Sequence, residues 1–319
     1  MLCLKSPFLS ANFAEHYKPG MKKPVLLIIF NRPETTKVVF NKIRQYKPTE
    51  LFIAADGPRR DKIKDSILCA QARVVTEKVD WGCSVKRLYR DNNLGCRLAV
   101  SRAIDWFFKQ VGEGIILEDD CEPGTDFFIF CSKMLDIYRK DSVVMHIGGD
   151  NFQPQSRQMA NSYYFTRYSH IWGWATWGRA WKKYDISMQG LGSGKIKRKL
   201  AKYFFGFWDQ VYWWVLFRAS KNKRIDTWDY QWLYSIWKSG GISINPGVNL
   251  VRNIGFTENA THTRTSNPLC DRKISKLKFP LRSPESHKWR NDFDKYTIQN
   301  IFKAGPKEAI YLIFKYALN

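Results

Sequence analysis

The chain has 319 residues, which suits one large α/β domain with extensions or two small domains, and 44% of them are apolar, which excludes a disordered chain. Its formal net charge of +23 calls for an anionic partner, among nucleic acid, anionic lipid and phosphorylated substrates. Runs such as Val25 to Phe30 are far too short to span a membrane, and Met1 to Gly20 holds no apolar stretch of signal-peptide length, so a cytoplasmic protein is expected. Seven cysteines, without a Cys-x-x-Cys pair or a zinc-spaced histidine, read as reduced.

In chain order, Val25 to Phe30 reads as a buried strand that ends in Asn31-Arg32-Pro33. Glu34 to Tyr46 carries Val38, Val39, Ile43 and Tyr46 at helical spacing, and Leu51 to Ala55 is a second strand that stops on Asp56-Gly57-Pro58. A helix over Ile63 to Val79, a short strand over Val85 to Tyr89 and an amphipathic helix over Leu94 to Phe108 follow. Gly114 to Leu117 is then an apolar run that halts on Glu118-Asp119-Asp120. Strands alternating with helices predict an α/β fold, an open and mostly parallel sheet with helices on both faces. No G-x-G-x-x-G follows the first strand and no G-x-x-x-x-G-K-[ST] occurs, which weighs against dehydrogenases and P-loop enzymes.

The acidic triplet is the most informative segment, because ligands gather outside the carboxyl ends of parallel strands. Three adjacent carboxylates repel one another unless a cation neutralises them, and oxygen ligands without a His/Cys cluster call for a hard ion, Mg2+ or Mn2+. Side-chain alternation sends Glu118 and Asp120 to one side and Asp119 to the other. The competing reading is a solvated acidic loop.

Past Pro123, Phe127 to Tyr138 reads as a helix and Val143 to Ile147 as a strand leading into Gly148-Gly149-Asp150-Asn151. Ser169 to Gly178, with Trp172, Trp174 and Trp177 among glycines, is too irregular for a simple amphipathic element; its rings suit either core packing or flat faces against a sugar. Lys195 to Arg224 holds nine Lys/Arg against one acid, Asp209, interleaved with aromatic residues from Tyr203 to Phe217. That mixture suits an anionic membrane interface, a helical subdomain with an aromatic core, or stacking of single-stranded bases. Asp226 and Thr227 are cap-type residues at an expected helix start, whereas Asp229 has no capping role and is free to face a site. From Arg264 onward the chain turns polar and basic, with a final helix expected from Pro306 to Leu318.

Together these pieces resemble the GT-A-fold glycosyltransferases, in an order most like the N-acetylglucosaminyltransferase I type and its bacterial relatives, over Pro24 to Thr263. The resemblance implies a nucleotide-binding start at Asn31 and Arg32, with the arginine meeting the base, and Asp56 as the acid that holds uracil or ribose. It implies a D-x-D-type signature in Glu118-Asp119-Asp120, whose last acid binds the metal while the others hold ribose or metal-bound water. It further implies a nucleotide-sugar contact at Trp174 beside Gly173, a catalytic base at Asp229 in Trp228-Asp229, and His262, after Gly255, as a second group on the metal or diphosphate. Where relatives carry tryptophan two positions after the base, Tyr230 and Gln231 intervene before Trp232, so Asp226 stays open as the base.

The expected organisation is an N-terminal extension over 1–21, a GT-A domain over 22–265 with a nucleotide-sugar half to 150 and an acceptor half from 151, and a basic tail over 266–319 with a terminal helix. The expected function is Mn2+- or Mg2+-dependent transfer of a sugar, from a UDP-sugar or similar donor, to a glycan or lipid-linked acceptor in bacterial surface polysaccharide synthesis. No second carboxylate nucleophile is evident, which favours inversion, and the aromatic-basic segment suggests the inner membrane face. The alternatives are a sugar-nucleotide nucleotidyltransferase, whose glycine-rich loop is missing here, and a nucleic-acid-binding protein, whose ligand the acids at strand ends would repel.

Overall fold

Strand β1 (Val25–Ile29) is buried along its whole length, and its alternation divides the interior in two. Leu26 and Ile28 join one apolar core, while Val25, Leu27 and Ile29 join another on the opposite face. A strand with apolar side chains on both faces must be covered on both, which makes it central in a sheet between helical layers. The computed structural model describes residues 22–154, 156–157, 159–255, 269 and 272–316.

After β1 come α1 (Pro33–Tyr46), β2 (Glu50–Ala55), α2 (Ile63–Val75), β3 (Ser84–Tyr89), α3 (Gly95–Phe108) and β4 (Glu113–Glu118), close to the predicted series. Pro33 occupies the first position of α1, where its missing N–H costs nothing, and Lys47 ends that helix in the left-handed conformation. The next elements are β5 (Cys121–Pro123), α4 (Thr125–Ile137), β6 (Val144–Gly148), β7 (Tyr163–Thr166), β8 (Trp174–Trp177) and α5 (Gly178–Trp181). Then follow α6 (Gly194–Ala201), α7 (Phe207–Lys221), α8 (Asp229–Lys238), β9 (Ile242–Pro246), β10 (Val251–Asn253), α9 (Asn291–Tyr296), a π-helical turn (Thr297–Ile301) and α10 (Pro306–Tyr316).

Eight strands form one sheet in the order β3-β2-β1-β4-β8-β6-β9-β7. The pairs β1–β2, β2–β3, β1–β4 and β6–β9 are parallel, whereas β8 runs against β4 and β6, and β7 against β9. All strands but β7 and β8 therefore share one direction, and the α/β class with a mostly parallel sheet is as predicted. Valines, leucines and phenylalanines from α1 and α4 complete one core, and α3, α7, α8 and α10 complete the other.

Three features settle what the sequence left open. The irregular glycine-tryptophan segment contains β8, a strand whose four residues are all buried between β4 and β6. The basic stretch from 272 to 316 packs on the body: the Leu277 amide donates to Asp126, Phe293 is buried, and α10 lies on α7, with Ala309 and Leu312 in the core. In the aromatic-basic segment Tyr203, Tyr212, Trp213 and Phe217 are core residues, and outward-facing apolar surface is confined to Phe205, Phe207 and Trp208 at the α6–α7 corner.

Candidate active site

The parallel strands β1, β2, β4 and β6 deliver their carboxyl ends to one edge of the sheet, and β8, running the other way, delivers its start there. That edge collects Asn31 and Arg32 after β1, Asp56 after β2, the triplet at the end of β4 and Asp150 after β6. Backbone direction alone has placed the expected nucleotide-sugar residues together.

The triplet is divided by its hydrogen bonds. Asp119 turns inward, 6% exposed, and accepts the Phe30 amide at 2.9 Å. Asp120 accepts Arg32 Nη1 at 2.6 Å on Oδ2, and the same guanidinium nitrogen lies 3.7 Å from Asp119 Oδ1. Arg32 thus touches both carboxylates of the turn that follows β4, so the strand alternation expected from the sequence stops at Glu118. Burial works against its charge, but Asp119 and Asp120 more than offset that and raise its pKa. Glu118 is pushed up to about 8 by burial and by the negative charges of Asp120, Asp119 and Asp229, and the Asp119 carboxyl is raised by burial and Asp120. Among the described residues the one arginine on this cluster does not balance it, and its donors are hard oxygens, so a divalent cation suits the chemistry of the site. Among the described residues no group of three or more His, Cys, Asp or Glu side chains is gathered as a ready-made metal site.

Strand β10 pairs with β5 and brings Gly255 against the triplet. The Ile254 amide donates to the Asp120 carbonyl at 2.8 Å, and a Cβ on Gly255 would stand 2.3 Å from Asp120 Oδ2. Only a residue without a side chain allows that approach. His262 lies outside the described residues.

The turn before α3 carries the other side of the site. Asp56, 7% exposed, accepts the Leu94 amide at 3.0 Å and Asn93 Nδ2 at 2.9 Å, so its carboxylate holds that turn; burial raises its pKa despite these bonds. Asn31 Nδ2 donates to Asp65, which also takes two bonds from Arg59, and this fixes the β1 end against the Asp56-Gly57 loop. Gly95 has φ +76°, and α3 opens with its first amides pointing at Asp226: Cys96 N at 2.9 Å and Arg97 N at 3.1 Å from the carboxylate. An anion at a helix N-terminus is favoured by the orphan amides and the helix dipole. Asp226 is therefore a cap, as one reading of the sequence had it, but for α3 and not for the helix that follows it.

That following helix starts at Asp229, later than predicted, with Trp228 as N-cap. Asp229 accepts the Thr227 hydroxyl and the Tyr230 amide, and it is close enough to Glu118 to raise that group's pKa. The nearby Cys96 thiol is raised by burial first and then by Glu118, Asp229, Asp226 and Asp120, and its backbone amide is one of the two that Asp226 accepts. Sequence reading passed over Cys96, since a lone cysteine after a glycine carries no signal without the fold. Cys121 is buried, its thiol points at Asp120 Oδ1 across 3.4 Å, and its pKa is well above normal, so it is unreactive.

Trp174 does not offer a face to a ligand. It is 1% exposed, stacked between His146 (centroids 5.1 Å) and Trp228 (5.4 Å), because its strand is covered by helices. The expected sugar contact is instead a core residue that backs Trp228 and so steadies the start of α8. His146 is a further buried group: Nε2 donates to the His170 carbonyl at 2.8 Å, Nδ1 accepts Trp232 Nε1 at 3.2 Å, and burial lowers its pKa to about 3.

Neither a protein-family model nor a curated protein matches the chain. Among solved structures it is similar to residues 1–349 of S. aureus TarS, with a TM-score of 0.37 and 9% identity, over 72% of this chain and 59% of that one. It is also similar to mouse xyloside xylosyltransferase 1 in its apo form, with a TM-score of 0.33 and 10% identity, over 66% of this chain and 80% of that one.

Proposed function

We propose that the chain is a GT-A-type glycosyltransferase that moves a sugar from a nucleoside diphosphate to an acceptor hydroxyl with inversion. The observation that carries this reading is the convergence of Arg32, the Glu118-Asp119-Asp120 triplet and Asp229 at one carboxyl edge of a mostly parallel sheet. Asp120 and Asp119, with His262 as a further candidate, would hold Mn2+ or Mg2+, which when bound neutralises the charge that develops on the departing diphosphate. Glu118 sits behind them, and Asp56 and Asn31 shape the wall on which the nucleoside rests. Asp229 accepts the proton of the acceptor hydroxyl, a role that typically contributes about 10² to 10⁴ in rate. Asp226, engaged with the α3 amides, is the weaker candidate for that base.

The donor class follows as a UDP-sugar or a close analogue, and the acceptor as a glycan or lipid-linked precursor of a bacterial surface polysaccharide. Peripheral attachment to the inner membrane face is supported by the exposed Phe205, Phe207 and Trp208 beside the cationic helix α6, with Lys195, Lys197, Arg198 and Lys199. No helix among the described residues is long and apolar enough to cross a membrane.

A thermal-shift screen of nucleotide sugars with and without Mn2+ tests the reading. One donor should stabilise the protein, and more so with the metal; stabilisation by none, together with salt-dependent binding of random single-stranded DNA, would move the protein to the nucleic-acid class.

A further inference from the structure

Arg32 lies against the acidic triplet. Its guanidinium is drawn onto the acids, 2.6 Å from Asp120 Oδ2 and 3.7 Å from Asp119 Oδ1, with only 24% of the side chain exposed. The residue is fixed at its other end as well, because its carbonyl, at the N-cap of α1, accepts the Thr36 amide at 3.0 Å and the Thr36 hydroxyl at 2.7 Å. Among the described residues the carboxylate oxygens have two other partners, the Phe30 amide on Asp119 Oδ2 and the weak Cys121 thiol on Asp120 Oδ1. The backbone at Gly255 passes so near Asp120 that a Cβ there would stand 2.3 Å from its Oδ2.

Building on the glycosyltransferase reading, we infer that Arg32 is a built-in counter-cation that holds the place of the divalent ion at Asp119 and Asp120 and yields it when a nucleoside diphosphate arrives. A cation ligated by Asp120 Oδ2 would share that oxygen with the guanidinium and bring two positive charges together in a partly buried site, where repulsion is poorly screened. Metal alone therefore binds against Arg32. A diphosphate changes the balance, since its oxygens match the planar fork of an arginine and give the displaced side chain a new partner. Metal and nucleotide then favour each other, and by linkage each strengthens the other by the same factor. Without either, Arg32 spares the protein an uncompensated cluster of carboxylates.

The experiment is Mn2+ binding to the full chain, followed by electron paramagnetic resonance of the free ion, for wild type, Arg32→Gln and Arg32→Lys, each with and without UDP. Arg32→Gln should bind Mn2+ about tenfold tighter than wild type in the absence of UDP, within the usual range of site-to-site coupling. Arg32→Lys, which keeps the charge, should stay near wild type, so an effect of lost packing alone is separated from an effect of charge. UDP should tighten Mn2+ on wild type and do so much less on Arg32→Gln. Equal or weaker Mn2+ binding by Arg32→Gln overturns the inference while leaving the metal assignment standing. Failure of every variant to bind Mn2+, with or without UDP, overturns both.

Discussion

The two aspartates near the start of α8 offer the sharpest test of the catalytic assignment, through Asp226→Asn and Asp229→Asn made side by side. Asp226 accepts the Cys96 and Arg97 amides at 2.9 and 3.1 Å, so its removal uncaps α3 and withdraws a charge from the helix N-terminus. A cap contributes about 0.5–2 kcal/mol and a charge near a helix end about 0.3–1 kcal/mol. Asparagine keeps one accepting oxygen and the residue is exposed, so water replaces part of what is lost. The expected cost is roughly 1 kcal/mol, read as a lower urea midpoint at unchanged slope. Transfer activity, measured at a temperature where the variant is fully folded, should fall by less than about tenfold, since 1.4 kcal/mol is a factor of ten. Asp229→Asn should show the reverse pattern, with a melt near wild type, sugar-nucleotide binding retained and transfer down by about 10² to 10⁴. If Asp226→Asn loses transfer by that larger factor while its stability is intact, the base is Asp226 and the capping account is insufficient.

Three further outcomes are expected. Gly95→Ala places a side chain at φ +76° with its Cβ 2.7 Å from Asp226 Oδ2, and should destabilise by about 1–3 kcal/mol in urea melts; an unchanged midpoint would show that the α3 turn relaxes freely. His146, lowered to about 3 by burial, and His170, likewise about 3, must stay neutral in the fold, whereas unfolded histidine protonates near pH 6.5. Their contribution to stability is thus present above about pH 6.5 and lost as pH falls, at about 1.4 kcal/mol per unit for each, and imidazole 15N NMR should find His146 as the neutral Nε2–H form at pH 5. A ring that titrates near 6.5 contradicts the burial argument. Phe207, 68% exposed, should be replaceable by serine without loss of melting temperature yet with about tenfold weaker sedimentation with anionic vesicles; equal sedimentation removes the α6–α7 corner as a membrane contact.

The order of strands and helices from Val25 to Glu118 was legible in the sequence, because runs buried on both faces and helical spacing are local consequences of which side chains avoid water. The acids at strand ends were legible for the same reason: an apolar run that stops on charge has reached an edge. What no local pattern contained was the partner of each charge. Arg32 meets Asp120 because β1 and β4 are neighbours in the sheet. Asp226 caps a helix 130 residues earlier, a contact that no periodicity encodes. Trp174 reads by residue type slightly better as core than as a sugar platform, and the layer of helices over β8 made it core. In the same way the aromatic-basic segment looked uniform along the chain, yet packing turned most of its rings inward and left three at the surface. The sequence by itself determined the α/β class and which side chains could carry the chemistry, since those depend on hydrophobic pattern and residue type. Tertiary structure alone decided which carboxylates cap a remote helix and which meet Arg32, because that depends on distances between segments remote along the chain.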